Sequence, residues 1–85
     1  MPVMKHTLVA LVEDKPGVLN RMVSLFRRRG FNIESIAVGS SELPHLSRVA
    51  IVVGGSTAML EQLRKHLENI VDVVKVTDIT TKGVA

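Results

Sequence analysis

The residues best placed to do chemistry lie in one short segment, residues 13–19, which reads Glu-Asp-Lys-Pro-Gly-Val-Leu. If a helix begins after this loop, its first turn offers unpaired backbone amides and a partial positive charge, which suit a carboxylate or a phosphate. Because Pro16 has no amide, the donors would be those of Gly17, Val18 and Leu19. Gly17 also lets a ligand approach the backbone closely. The segment predicts an anion site at the start of a helix.

The composition of this loop favours a zwitterion over a phosphate. Phosphate-binding loops carry more glycine and a lysine inside the helix start, whereas this loop has one glycine and a neighbouring acid, Asp14. A carboxylate beside an anion site suits a ligand that carries both charges. The alternative, which composition alone favours, is that Pro16 and Gly17 only shape a tight strand-to-helix turn.

Catalysis and metal binding find little support in the sequence. The chain has no cysteine, which excludes a disulfide, a thiolate nucleophile and a Cys-based zinc site. The three histidines, His6, His45 and His66, are too scattered to form a metal site, and no local motif joins a serine, a histidine and an acid. We interpret the serines and histidines as cap, turn and surface residues. We predict no catalytic residue and no metal ligand.

The positive charge does not favour a nucleic-acid partner. The net charge of +3 comes from 11 basic and 8 acidic residues, and the only aromatic residues are Phe26 and Phe31. Single-stranded nucleic acids bind to basic surfaces that also carry stacking aromatics. The one basic run, Arg27, Arg28 and Arg29, falls where a helix is expected to end, so it complements the helix dipole.

Four strands and two helices would position the loop. We expect strands over residues 6–12, 32–39, 46–53 and 71–79 and helices over about 16–29 and after Ser56 or Thr57. Pro16 is expected at the first helical position, and Gly30 as a left-handed stop. Two glycines at 54–55 should end the third strand. The helices place apolar residues on one face at Val18, Leu19, Met22, Val23, Phe26, Met59, Leu60, Leu63 and Leu67.

This βαββαβ order predicts an α+β, ferredoxin-like fold, with a four-stranded antiparallel sheet and both helices on one face. The first strand has apolar residues on both of its faces, with Leu8, Ala10 and Val12 on one side and Val9 and Leu11 on the other. Because the helices cover one face only, we expect the second face to meet another protomer, a missing domain or a partner protein. The alternative is that a small two-layer domain tolerates some exposed apolar residues.

The length of the chain and its lack of targeting signals indicate the number of domains and the cellular location. Eighty-five residues make a single domain with a thin margin of stability, which favours oligomerisation. The start of the chain is too short and broken for a signal peptide, and no stretch approaches a membrane span. We therefore expect a cytoplasmic protein with no membrane partner.

The loop also carries a family resemblance. Residues 13–19 resemble the corresponding segment of ACT domains, small ferredoxin-like modules that bind amino acids and regulate enzymes of amino-acid metabolism. Three further segments are similar to the regulatory small subunit of acetolactate synthase, also called acetohydroxyacid synthase. They are residues 29–36 (Arg-Gly-Phe-Asn-Ile-Glu-Ser-Ile), 46–48 (Leu-Ser-Arg) and 71–76 (Val-Asp-Val-Val-Lys-Val). The similarity extends over about residues 5–77.

The resemblance implies a regulatory subunit without chemistry of its own. Such a subunit binds the catalytic (large) subunit, raises its activity and confers feedback inhibition by valine, with leucine or isoleucine as further effectors. The effector would sit between two ACT domains paired side by side in a homodimer or higher oligomer. The implied effector-binding residues are Asp14, Gly17, Val18, Leu19, Asn32 and Ile36. Thiamine diphosphate, magnesium and FAD are expected only in the catalytic partner, with no cofactor in this chain.

The resemblance also bears on domain organisation. We expect one ACT domain over residues 1–85, structured over about 5–79. Longer family members continue into a C-terminal domain, so we expect this chain to be either the N-terminal portion of a longer protein or a short member. The alternative function is an effector-independent docking or dimerisation module, in which Gly17 and Asn32 would be turn residues only.

Overall fold

Strands and helices alternate along residues 4–79, the part of the chain that the computed structural model describes. The elements are β1 (Met4–Glu13), α1 (Val18–Arg28), β2 (Asn32–Ser40), β3 (Leu46–Gly55), α2 (Thr57–Glu68) and β4 (Val73–Asp78). The four strands form one antiparallel sheet in the order β2-β3-β1-β4. The predicted βαββαβ, ferredoxin-like fold is confirmed.

The strand pairing decides which ends of the elements lie together. Both β1 and β2 pair antiparallel with β3, so β1 and β2 run in the same direction. Glu13, the last residue of β1, pairs with Leu46, and Ser40, the last residue of β2, pairs with Ser47. The loop between β1 and α1 therefore lies at the end of the sheet where β2 finishes.

The core lies between the two helices and one face of the sheet. Its members are Leu8, Ala10, Val12, Val18, Met22, Leu25, Phe26, Phe31, Val49, Ile51, Val53, Leu60, Leu63, Leu67, Val73 and Val76. On the other face, Val9, Leu11 and Val52 are half-buried within the single chain. What covers that face stays a prediction. The expectation that His6 is a surface residue was wrong. His6 is 4% exposed, because its side chain points to the same, inner face of β1 as Leu8.

Helix α1 begins two residues later than predicted. Gly17 has a φ of 87°, a left-handed conformation that is incompatible with a helical position, so Gly17 is the N-cap and Pro16 lies outside the helix. The predicted stop at Gly30 is confirmed by its φ of 75°. The amide of Gly30 donates to Arg27 and that of Phe31 donates to the Phe26 carbonyl, which is the Schellman pattern. The rings of Phe26 and Phe31 then meet edge to face, 6.3 Å apart.

The second half of the chain departs from expectation in three details. Strand β3 continues through the two glycines at 54–55, which pair with Met4 and Lys5. Met59 is exposed, while Leu60, Leu63 and Leu67 form the inner face of α2. Strand β4 begins at Val73 because Val71 lies in an exposed turn. Of the two predicted caps, Ser56 or Thr57, the structure has Ser56, whose hydroxyl accepts from the Met59 amide at 3.3 Å.

Over residues 4–79, neither helix is long and apolar enough to cross a membrane.

Candidate functional site

Backbone hydrogen bonds hold the loop between β1 and α1 against two other loops. The amide of Glu13 donates to the Asp72 carbonyl at 2.8 Å, and the amide of Asp14 donates to the His45 carbonyl at 3.0 Å. Within the loop, the Lys15 amide donates to the Glu13 carbonyl at 2.9 Å. These bonds fix the path of the loop before α1 begins.

The Asp72 side chain adds an electrostatic restraint to the same loop. Its carboxylate pairs with the Lys15 ammonium at 3.6 Å and with the Arg21 guanidinium on α1. The Asp72 side chain is only 14% exposed, so this pair is less screened by water than an ordinary surface pair. One carboxylate thus ties both the loop and the first turns of α1 to the start of β4.

The start of α1 offers backbone donors, as predicted, although one of the three is engaged. The Val18 amide lies 3.4 Å from the Lys15 carbonyl, a long hydrogen bond. The amides of Gly17 and Leu19 have no hydrogen-bond partner among residues 4–79, and no side chain caps this helix. Because the first amides of a helix carry partial positive charge, this end of α1 suits a carboxylate.

A depression of about 150 Å³ lies beside this helix start. It brings together three of the predicted residues, Asp14, Val18 and Leu19, with Val38 of β2 and Ser47 of β3. Leu19 is 39% exposed and Val38 is 55% exposed, so the depression has an apolar wall open to solvent. Ligand pockets usually enclose about 300 to 1,000 Å³. Within one chain the depression is therefore smaller than a usual ligand pocket.

Of the other three predicted residues, Gly17 is the N-cap of α1 beside the depression, and the remaining two lie away from it. Asn32 is the first residue of β2 and pairs with Gly54, whereas the depression borders the far end of that strand. Val38, the β2 residue that lines the depression, is six positions along the strand from Asn32, a distance of about 20 Å in an extended strand. Ile36 lies in the middle of β2 opposite Ile51 and is 39% exposed. Within a single chain, Asn32 and Ile36 do not join the loop residues.

The sequence did not identify two residues that shape the site. Val38 lines the depression from β2, and the period-2 pattern of Ile36 and Val38 could have shown that the two share a face. Asp72 holds the loop from a distant part of the chain. No local pattern could have linked it to Lys15, because the pairing depends on how β4 docks beside β1.

No group of three or more metal-ligating side chains occurs within residues 4–79. The expectation that this chain binds no metal and no cofactor stays a prediction.

Comparisons with known proteins converge on one family. Residues 8–75 match the family model of the AHAS small subunit-like ACT domain. The chain is 53% identical over 81 residues to a probable acetolactate synthase small subunit of Archaeoglobus fulgidus, covering 95% of this chain and 51% of the relative. It is 53% identical over 73 residues to the acetolactate synthase small subunit of Mycobacterium bovis, covering 86% and 44%. This chain spans about half the length of these relatives.

Solved structures show the same relationship at the level of the fold. The acetolactate synthase small subunit of Thermotoga maritima superposes with a TM-score of 0.87 at 48% identity, covering 94% of this chain and 50% of that one. The ACT domain from a GTP pyrophosphokinase of Chlorobium tepidum superposes with a TM-score of 0.78 at 18% identity, covering 92% of this chain and 100% of that one. The second likeness concerns the fold alone.

Proposed function

We propose that this chain, which belongs to the family of AHAS small subunit-like ACT domains, regulates acetolactate synthase in branched-chain amino-acid biosynthesis. It would bind a branched-chain amino acid, with valine favoured, at the interface of two paired copies and thereby modulate the catalytic subunit. The observation that carries this proposal is the half-formed pocket at the start of α1, next to a strand edge that has no partner within residues 4–79.

The free edge of β2 supports pairing of two copies. β2 is an edge strand of nine residues, hydrogen-bonded to β3 on one side only, and it contains no proline and no lysine. Its one charged residue, Glu34, is paired with Lys5 at 3.2 Å. Natural edge strands usually carry bulges, charges or prolines that prevent association, and of these β2 has, besides Glu34, a register shift between Ile33 and Ser35 near its start. This long, weakly charged edge favours pairing with a second β2.

Two-fold symmetry would bring the separated site residues together. If two β2 strands pair antiparallel about a two-fold axis, the first residue of one strand lies beside the end of the other. Asn32 of one copy would then lie beside the depression of the other copy, next to its Asp14 and Leu19. Ile36 would lie close to the axis. This pairing would complete the pocket twice in each dimer.

The chemistry of the completed pocket matches an aliphatic amino acid. The amides of Gly17 and Leu19 would receive the ligand carboxylate, and the exposed carboxylate of Asp14 would receive its ammonium group. The side-chain amide of Asn32 from the second copy offers both a donor and an acceptor. The apolar wall formed by Leu19 and Val38 would take a branched side chain.

In this proposal the chain contributes no chemical step. Thiamine diphosphate, magnesium and FAD would belong to the catalytic subunit, where the reaction takes place. The chain would convert the valine concentration into a change of the catalytic subunit's activity, through contacts that differ between its free and valine-bound states.

Thermal unfolding of the purified chain tests the effector site. L-valine at one hundred times its dissociation constant adds about 2.7 kcal/mol of stability, which should raise the midpoint by roughly ten degrees or more in a domain of this size. L-leucine and L-isoleucine rank the effectors, and D-valine is the control because it reverses the positions of the ammonium and side chain. The proposal predicts a stereospecific rise. No rise in a folded, dimeric chain would contradict it.

Reconstitution with the catalytic subunit tests the regulatory role separately. The proposal predicts that the chain alters the synthase activity and makes it sensitive to valine. A chain that raises activity and leaves it insensitive to every branched-chain amino acid would instead be an effector-independent docking module.

A further inference from the structure

A second concave surface lies on the helical side of the molecule, apart from the effector site. It is a groove of about 360 Å³ between α1 and the C-terminal end of α2. Its apolar lining comes from Leu25 and Ile70, and its neutral polar lining comes from Asn20, Ser24 and Asn69. The groove shares no lining residue with the depression beside Asp14, although Arg21, which also lines the groove, lies near Gly17.

Unbalanced positive charge is concentrated at one end of this groove. Arg28 and His66 line the groove, and Arg29 lies with them in the adjoining cavity. Within residues 4–79, neither Arg28 nor Arg29 has a carboxylate within 4 Å. Arg29 Nη2 lies 3.4 Å from His66 Nδ1. A guanidinium has donors only, so Nδ1 is the acceptor there, and this contact does not neutralise Arg29.

Two other arginines on the helices are neutralised. Arg21 pairs with Asp72, and Arg64 pairs with Glu61 at 3.2 Å and with Glu68 at 3.9 Å. Two further basic residues, Arg27 and Lys65, have no carboxylate within 4 Å among residues 4–79, but they line neither the groove nor the adjoining cavity. Helix α1 contains no acidic residue at all. Complementing the helix dipole accounts for a positive charge in the last turn of α1. It does not account for guanidinium groups that line a groove without acidic partners.

We propose that this groove binds an acidic segment of the catalytic subunit; this inference rests on the proposed function for the identity of that partner. Arginine pairs readily with carboxylates, so acidic side chains would meet Arg28 and Arg29. An apolar side chain of the segment would pack on Leu25 and Ile70. The occupant is thus a short segment in which acidic residues flank an apolar one.

The length of the groove favours a peptide segment over a small anion. Asn20, Ser24 and Arg28 recur every four residues along one side of α1 and span about 12 Å. An extended segment covers that distance with about four residues. A single small anion would engage the arginine end and leave Asn20 and the apolar lining unused.

The test compares two charge reversals in the last turn of α1. Arg28→Glu changes a groove residue, while Arg27→Glu makes the same change of charge at an exposed neighbour that does not line the groove. Affinity for the immobilised catalytic subunit is measured with the full chain at low and moderate salt. We expect Arg28→Glu to weaken binding at least tenfold, Arg27→Glu to change it less than threefold, and the wild-type affinity to fall with salt.

Several results would overturn the inference. Equal losses in the two variants would indicate general electrostatic attraction, and no loss in either would place docking elsewhere. A switch from dimer to monomer in Arg28→Glu would assign the groove to a second copy. The groove would be assigned to a small anion by two results together. Inorganic phosphate at constant ionic strength would stabilise the wild-type chain but not Arg28→Glu, and Arg28→Glu would still bind the catalytic subunit.

Valine-induced stabilisation separates this inference from the proposed function. Both variants should keep the wild-type rise in the unfolding midpoint with L-valine, since neither residue lies in the effector site. A chain that responds to valine and binds the catalytic subunit equally well as wild type and as Arg28→Glu would overturn the docking inference alone. A chain that binds the catalytic subunit through Arg28 and ignores valine would contradict the effector site alone.

Discussion

Two regions of the molecule differ in how many contacts restrain them within a single chain. One is the loop between β1 and α1, and the other is the edge strand β2. The loop is restrained by backbone hydrogen bonds to Asp72 and His45 and by the ion pairs of Asp72. Strand β2 has hydrogen bonds on one side only, and all of its residues except Ile33 are exposed. A single chain thus preforms the part of the proposed site that would hold the ligand's charged groups, and the proposal assigns the other part to a second copy.

This difference shows which properties should depend on concentration. Ligand contacts from a preformed loop require little ordering on binding, so the loop should keep its shape in a monomer. Contacts from β2 of a second copy require dimerisation, so effector binding and pairing should be linked. The following predictions separate the two parts, beginning with the largest expected effect.

The largest effect should come from a charge at the centre of β2. Ile36→Lys would place two like charges close to the proposed two-fold axis and remove an apolar contact. We expect the dissociation constant of the dimer to rise at least about a hundredfold, which corresponds to about 2.8 kcal/mol of association free energy, and the valine response to be lost. Sedimentation velocity measures the association. Val74→Lys is the matched control, because Val74 is an exposed apolar residue on the opposite edge strand, β4; a dimer that survives Ile36→Lys as well as Val74→Lys would contradict pairing through β2.

Gly17→Asp should remove the loop part of the site and leave pairing intact. The new carboxylate would stand where the ligand carboxylate binds, so we expect valine affinity to fall by about a hundredfold, with a stability loss of about 1 kcal/mol from the left-handed backbone. Calorimetric titration measures the affinity. Gly17→Ala carries the same backbone strain without the charge, and its Cβ would lie 3.6 Å from Arg21 Nη1, an ordinary contact. If Gly17→Asp and Gly17→Ala bound valine equally well, the anion site would be misplaced.

Asn32→Ala should weaken valine binding without affecting the loop. Removing one hydrogen-bonding side chain from a buried ligand site costs about 1 to 3 kcal/mol, and the expected loss of affinity is correspondingly about 5- to 150-fold. The dimer should persist, since Asn32 lies at the end of the strand. Calorimetric titration checks the affinity and sedimentation checks the dimer. Wild-type affinity in this variant would leave Asn32 as a turn residue.

Asp72→Asn should have the smallest effect, confined to the loop and the first turns of α1. It removes the partner of Lys15 and Arg21, and we expect a stability loss of about 1 kcal/mol, seen as a fall of roughly 4 to 8 °C in the unfolding midpoint. Glu61→Gln breaks an exposed pair with Arg64 and is the control, with an expected loss below about 0.5 kcal/mol. Equal midpoints for the two variants would show that Asp72 does not restrain the loop.

Local patterns predicted most of the fold. Helical spacing and Gly30 identified α1, and the cap at Ser56 identified α2, because these features act within a few residues of each other. The start of α1 was misplaced, since Pro16 is acceptable at a first helical position and only the conformation of Gly17 excludes it. The inward orientation of His6 was also missed, because residue type outweighed strand parity in that prediction.

The candidate site was less predictable than the fold. The loop residues were found because they are contiguous and carry distinctive residue types. The role of Asp72 was not found, since its pairing with Lys15 depends on tertiary structure. Asn32 and Ile36 came from a family resemblance, and a single chain places them apart from the loop. Which residues share a pocket between two copies depends on symmetry, which no local pattern records.

The most direct test of the central claim mixes two variants that each bind valine weakly. Each site is proposed to take its loop from one copy and Asn32 from the other, so a mixed dimer of Gly17→Asp and Asn32→Ala contains one site with both parts intact. Calorimetric titration with L-valine after subunit exchange should recover tight binding at roughly a quarter of the wild-type number of sites, although neither variant alone binds tightly. No recovery in a mixture shown to exchange subunits would contradict a site shared between two copies.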